Sequence, residues 1–147
     1  MENRKGKKVV AISGYFDPLH IGHLDLIRRA KKLGDYIVVI VNNDKQTKRK
    51  KGLSFMPENE RVEIMKSLKL VDVVVLSIDE DRTVNKTLEM IKPDIFANGG
   101  DKIIGRIPEQ DVCERLGIEI VNNLGEKLQS SSKLTGLAGT YDKKASS

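Results

Sequence analysis

"VVAISGYFDPLHIGHLDLIRRAKKLGDYIVVIVN", residues Val9 to Asn42, holds one complete strand–helix–strand unit. "VVAIS" (Val9 to Ser13) is a short apolar run that stops at Gly14 and reads as a buried strand. From Ile21 to Leu33, the apolar residues Leu24, Ile27, Ala30 and Leu33 recur every three positions and mark one face of a helix. Gly34 stands where a C-terminal cap is expected, and "YIVVIVN" reads as a second buried strand. The alternation continues outward. "PENERVEIMKSL" opens on Pro57 and acidic residues, as helix starts do, and carries Val62, Met65 and Leu68 on one side. "VDVVVLS" is a third strand, followed by a helix around Val84 to Ile91, a strand "DIFAN", a helix near Pro108 to Leu116 and a strand "IEIVNN". A short helix is expected after "QSSS". Strands alternating with helices predict an α/β fold: a parallel sheet of about five strands, helices on both faces, right-handed crossovers. There is no internal repeat or dividing linker, so residues 9–137 read as one domain between a basic N-terminal tail (1–8) and a flexible C-terminal tail (138–147).

Composition narrows the function classes. The chain has 147 residues, 39% hydrophobic and 32% charged, the profile of a globular domain. A single cysteine, Cys113, excludes an internal disulfide and a thiolate metal cluster, and reads as a buried helix residue. No stretch approaches the roughly 20 apolar residues that cross a bilayer. The basic start "MENRKGKK" leads into no long apolar segment, so a cytoplasmic location with no membrane partner is expected. The net charge of +5 suits nucleic acid, an acidic membrane face or small phosphorylated ligands. Much of it lies in terminal runs that read as solvated tails, and in "KRKK" at Lys48 to Lys51, which reads as a loop between regular elements. With 4% aromatics and no tryptophan, stacking platforms for single strands are scarce, and no nucleic-acid partner is expected.

In a parallel sheet of this kind, ligands bind beyond the carboxyl ends of the strands. Those positions hold "GYFDPLHIGH", "NNDKQTKRKKG", "NGGDK" and "NNLGEKLQSSSK", loops rich in groups that suit phosphate. The chain's only two histidines, His20 and His23, sit three apart around Gly22. On a helix that opens near Ile21 they share one face, beside first-turn amides and the positive end of the helix dipole. Gly22 removes a side chain that would block approach to the backbone. Two imidazole donors there suit a phosphate whose charge grows during reaction. Incidental placement is the plain alternative. Half of a zinc site is another, although partners of the right type and spacing are lacking.

"GYFDPLHIGHLDLIRRAKKLGD" resembles the signature of the cytidylyltransferase-like nucleotidyltransferases, with their H-x-G-H motif. "VNNDKQTKRKKG", "PENERVEIMKSLKLVD", "IKPDIFANGGD" and "SSSK" follow in the family's order, so the resemblance covers about residues 9 to 137. It implies a small Rossmann-like domain in which a substrate phosphate attacks the α-phosphate of a nucleoside triphosphate, ATP or CTP, and pyrophosphate leaves. By that resemblance His20 and His23 contact the triphosphate and stabilise the transition state. Tyr15 and Phe16 lend backbone amides, Tyr15 standing where the family more often has Thr or Cys. Lys50 reaches the phosphates, with Lys48 and Lys51 as competitors for that role. Ser130, Ser131 and Ser132 resemble the family's Ser-Thr-Thr segment that holds the β- and γ-phosphates, and Lys133 is either a phosphate cap or a solvated lysine. Gly14, Gly22, Gly99 and Gly100 complete the implied nucleotide site. A Mg²⁺ ion carried by the triphosphate is implied, with Asp17 and Asp101 as residues that approach it or that organise their loops instead. Arg61 either pairs with Glu58 or a neighbouring carboxylate, or faces the ligand.

"GGD" and "TKRKKG" are similar to the adenylyltransferases acting on heptose 1-phosphate, whereas "QSSSKLTG" departs from their Cys-Ser-Thr-Thr-Asn pattern. Glycerol-3-phosphate cytidylyltransferases usually carry Arg-Thr-Glu-Gly where this chain has "GEKLQSSS". The expected activity is therefore transfer of AMP or CMP to a phosphorylated sugar or polyol, by a homodimer as is common in the family. A non-catalytic nucleotide-binding module and a nucleic-acid-binding protein are the rival readings.

Overall fold

The computed structural model describes residues 4–99 and 106–124. Five strands are present among them: β1 (Val9–Gly14), β2 (Tyr36–Val41), β3 (Val73–Leu76), β4 (Ile95–Ala97) and β5 (Glu119–Val121). They form one sheet in the order β3-β2-β1-β4-β5, every pair parallel. Five helices accompany them: α1 (Ile21–Lys31), α2 (Asp44–Lys51), α3 (Glu58–Lys66), α4 (Asn85–Ile91) and α5 (Gln110–Leu116). The Rossmann-like α/β expectation holds.

The apolar strands are continuous runs because both faces are covered. Val9, Ala11, Tyr36, Val38 and Ile40 pack with Leu88 and Ile91 of α4 and Cys113 of α5. The alternate residues Val10, Ile12, Ile37, Val39 and Val41 pack with Leu26, Ile27 and Ala30 of α1 and Met65 of α3. The crossovers from β1 through β3 step one way across the sheet, and the later ones step the other way. Constant right-handedness then puts the two sets of helices on opposite faces. Aspartates mark the amino ends of the strands: Asp72 accepts from Ile37 N and Asp94 from Val9 N, each at 2.7 Å. The basic run of α2 and both histidines follow the opposite, carboxyl ends of β2 and β1.

Three expectations change. The "KRKK" cluster belongs to α2, a helix and not a loop. Asn43 and Gln46 close a capping box over its first turn, and Gly52 ends it in the left-handed region at φ 86°. Lys48, Arg49, Lys50 and Lys51 then lie at the negative end of its dipole. Gly34 is not the cap of α1, which ends on Lys32 in helical conformation. It is glycine because a Cβ would stand 2.7 Å from both Lys8 O and Val10 Cγ2. A Gly34→Ala variant should therefore lose about 1–3 kcal/mol, read as a lowered urea midpoint. Of residues 4–8, expected as a solvated tail, Lys5 to Lys8 are exposed, but the Arg4 guanidinium caps carbonyls at the end of α4, donating to Ile91 O and Lys92 O.

Candidate functional site

The strand order reverses at β1, so a crevice opens at its carboxyl end, between β1 and β4. The chain leaves β1 at Gly14, runs through residues 15–20 and enters α1 there. His20 is the N-cap of α1 and His23 its third residue. His20 Nδ1 accepts from Gly22 N at 3.1 Å, and His23 Nδ1 accepts from His20 N at 3.2 Å. The two imidazoles thus form the capping box that Ser and Glu more often supply. The rings stack with centroids 3.8 Å apart and 24° between planes.

This geometry selects the tautomer. A nitrogen that accepts a hydrogen bond carries no proton, so in both rings the proton belongs on Nε2. Each neutral histidine is then a donor through Nε2–H. The first-turn amides are correspondingly less open to an anion than the sequence suggests, because His20 N and Gly22 N are spent on the rings. Phe16 braces the pair, edge-on to His23 at 4.8 Å between centroids. Its own ring needs Gly14 bare, since a Cβ there would lie 2.8 Å from Phe16 Cζ.

Burial, helped by His20 and the Lys51 ammonium, holds the His23 imidazole down at about 3 from its ordinary 6.5. Between those values the unfolded chain binds the proton and the folded one does not. Stability is therefore full above about pH 6.5 and declines as pH falls toward 3. A His23→Gln variant, whose amide can keep the capping box, should show a shallower acid limb in urea midpoints measured across that window.

Beneath the histidines, Asp17 is fully buried, and its carboxylate accepts from Phe55 N (2.7 Å) and Met56 N (2.6 Å). It organises the loop between α2 and α3. Arg61, 1% exposed, does the same on a larger scale. Its guanidinium donates to Met56 O (3.0 Å), Tyr15 O (2.8 Å), Asn42 O (2.6 Å) and Asp44 Oδ1 (2.7 Å). It joins the chain after β1, the chain after β2 and the entry to α3. Its carboxylate partner is Asp44; Glu58 instead accepts from Asp44 N at 2.7 Å.

The lysines of α2 separate by position. Lys51 is half-buried and donates to Asp17 O at 3.1 Å, inside the loop that leads to the histidines. Burial pushes its ammonium below the usual lysine range. Lys50 lies over the Tyr15 ring, its Nζ 4.5 Å from the centroid. Lys48 is exposed on the same helix.

The model for cytidylyltransferase-like proteins matches residues 11–129. The chain belongs to the cytidylyltransferase-like family. Bifunctional protein HldE of Citrifermentans bemidjiense is 42% identical over 118 residues, 79% of this chain and 24% of that one. FAD synthase of Ferroglobus placidus is 47% identical over 96 residues, 65% of this chain and 60% of the relative. The chain spans about a quarter of the length of the HldE proteins it matches. Among solved structures, a lipopolysaccharide core biosynthesis protein from Thermoplasma volcanium superposes with TM-score 0.72 at 32% identity, over 82% of this chain and 98% of that one.

Against the family pattern, the structure brings Gly14, Tyr15, Phe16, Asp17, His20, Gly22, His23, Lys50 and Lys51 to one end of β1. Gly99 follows β4 and faces Leu26 of α1, 3.5 Å from where its Cβ would be. Gly100, Asp101, Ser130, Ser131, Ser132 and Lys133 lie outside the described residues. Of the two roles expected for Asp17, the structure displays the loop-organising one, since each carboxylate oxygen accepts from a backbone amide. Among the described residues no group of three or more His, Cys, Asp or Glu side chains is placed to hold a metal ion. The expected pairing of Arg61 with a neighbouring carboxylate holds through Asp44, but sequence reasoning missed its burial and its ties to three loop carbonyls. Sequence reasoning also put Lys50 ahead of Lys51, the lysine that enters the histidine loop. Its only available signal for Arg61 was a basic residue in an otherwise acidic helix start.

Proposed function

We propose that this chain is a cytoplasmic adenylyltransferase that transfers AMP from ATP to the phosphate of a heptose-type sugar 1-phosphate and releases pyrophosphate. The observation that carries the reading is the pair of stacked histidines at the carboxyl end of β1, each accepting from a backbone amide at Nδ1 so that Nε2–H is left as the donor. The acceptor phosphate is already an anion and needs no general base. Its oxygen forms a bond to the α-phosphorus as the bond to the leaving pyrophosphate breaks. Negative charge on the phosphoryl oxygens is met by donors that are already oriented and do not have to give up a proton. Lys51 and Lys50 add positive charge on the flank of α2. Magnesium arrives with the triphosphate as part of the substrate.

The choice of nucleotide and acceptor rests on the similarity to HldE and to the lipopolysaccharide core biosynthesis protein. A second reading, with FMN as acceptor, is favoured by the identity to FAD synthase, the highest of the relatives described here. In both, AMP is joined to a phosphate monoester. The deciding experiment measures pyrophosphate release with ATP, CTP, GTP and UTP, each against heptose 1-phosphate, glycerol 3-phosphate and FMN. Release with ATP and heptose 1-phosphate is expected. Release only with FMN, or only with CTP and glycerol 3-phosphate, moves the assignment to that acceptor. Triphosphate binding without release in any pairing favours a binding module, and no triphosphate binding at all overturns the proposal.

A further inference from the structure

The segment between β3 and α4 is fastened to α2 by side chains chosen for the purpose of holding a backbone. Asn43 Nδ2 donates to Ser77 O (3.0 Å) and Asp79 O (2.8 Å). Gln46 Nε2 donates to Asp81 O (2.7 Å) and Thr83 O (2.8 Å). Gln46 is fully buried, so one sheltered amide grips the carbonyls on either side of Arg82. Asp81 tightens the same turn, accepting from Thr83 N at 2.9 Å and Thr83 Oγ1 at 2.6 Å. A linker that merely connected β3 to α4 could leave these carbonyls to water. Here the backbone on both sides of one exposed arginine is fixed from within.

Arg82 Nη2 donates to Arg49 O at 3.2 Å, which sets its guanidinium over the last turn of α2. There it acts on the Tyr15 phenol, opposing the upward push of burial on that group, while Lys50 lies over the Tyr15 ring. Tyr15 itself is held by Arg61 through its carbonyl at 2.8 Å. Two cations from different elements therefore lie at the last turn of α2, Arg82 on Arg49 O and Lys50 over the ring of Tyr15, next in the chain to Phe16, whose ring supports His23. A transfer between two phosphates needs charge for both, because two anions brought together without cations repel strongly in a partly dry site. The histidines and Lys51 serve one of them.

We infer that Arg82, with Lys50 beside it over Tyr15, binds the anionic phosphate of the acceptor and is a specificity-determining residue of this site. The inference rests on the transferase reading above and adds to it the second phosphate subsite. Arg82 is exposed, so its variants should fold like the parent.

The test uses the full chain saturated with a non-hydrolysable α,β-methylene ATP, titrated with inorganic phosphate and followed by phosphorus NMR line broadening. Parent protein should broaden the phosphate line, Arg82→Ala should lose most of the effect, and Arg82→Lys should recover part of it. In turnover, Arg82→Ala should raise the acceptor KM about 10- to 100-fold, with the affinity for the ATP analogue unchanged. Equal broadening by parent and Arg82→Ala, or an equal loss of affinity for both ligands, overturns the assignment. Pyrophosphate release by the parent is read in parallel. Its absence with every acceptor would sink the transferase reading alone, since the phosphate titration does not depend on turnover.

Discussion

A His20→Asn variant is expected to fold at least as well as the parent and to lose about 100- to 1,000-fold in kcat. Asparagine is among the best N-cap residues, and its side-chain oxygen can take over from Nδ1 the bond to Gly22 N, now 3.1 Å long. It has nothing to replace the Nε2–H donor. His20→Ala removes both, and should add a stability loss of about 1 kcal/mol to the same loss of rate. If His20 served the helix alone, activity would follow stability, and the asparagine variant would be nearly as active as the parent. Denaturation and kcat measured on both variants separate the two roles. The stacked rings act as a unit, so a variant lacking both histidines should lose much less than the product of the single losses.

Arg61→Leu should cost about 3–5 kcal/mol of stability, the range for removing one side of a buried charged network. The loss leaves Tyr15 O, Asn42 O and Met56 O without their donor and the Asp44 carboxylate without its cation. Three of these groups belong to loops that shape the site, so the folded remainder should also turn over slowly. Arg61→Lys should rescue little, because one ammonium cannot span partners that a planar guanidinium reaches in several directions at once. Urea denaturation of the purified variants reads the effect. An unchanged midpoint in Arg61→Leu would mean that the loops are held by something other than this tie.

The sheet was legible because its strands are apolar runs, and the helices of the α1 face because their buried residues recur at helical spacing. α2 escaped that signal for a physical reason: its buried residues are Gln46 and Thr47, both polar, so no hydrophobic period exists to find. The Asn43–Gln46 capping box was the available clue, hidden beside a run of charge. Gly34 looked like a cap because the pattern cannot show that Lys8 passes 2.7 Å from where its Cβ would be. The histidines were legible as a pair sharing one face. Their hold on the backbone was not, since spacing says which side chains meet and nothing of which ring nitrogen accepts. Arg61 and Asp17 are harder still, as their partners are mostly main-chain groups of distant loops, and any residue could supply those.

The locked histidine pair is the centre of this account, and nitrogen NMR of the imidazoles tests it most directly. With only two histidines in the chain, the spectrum contains few signals and a single His20→Asn variant assigns them. Both rings should show protonated Nε2 and bare Nδ1 at neutral pH, and His23 should resist protonation until the pH nears about 3. A protonated Nδ1 on either ring, or a His23 that titrates near its ordinary 6.5, would contradict the capping-box geometry and the donor role built on it.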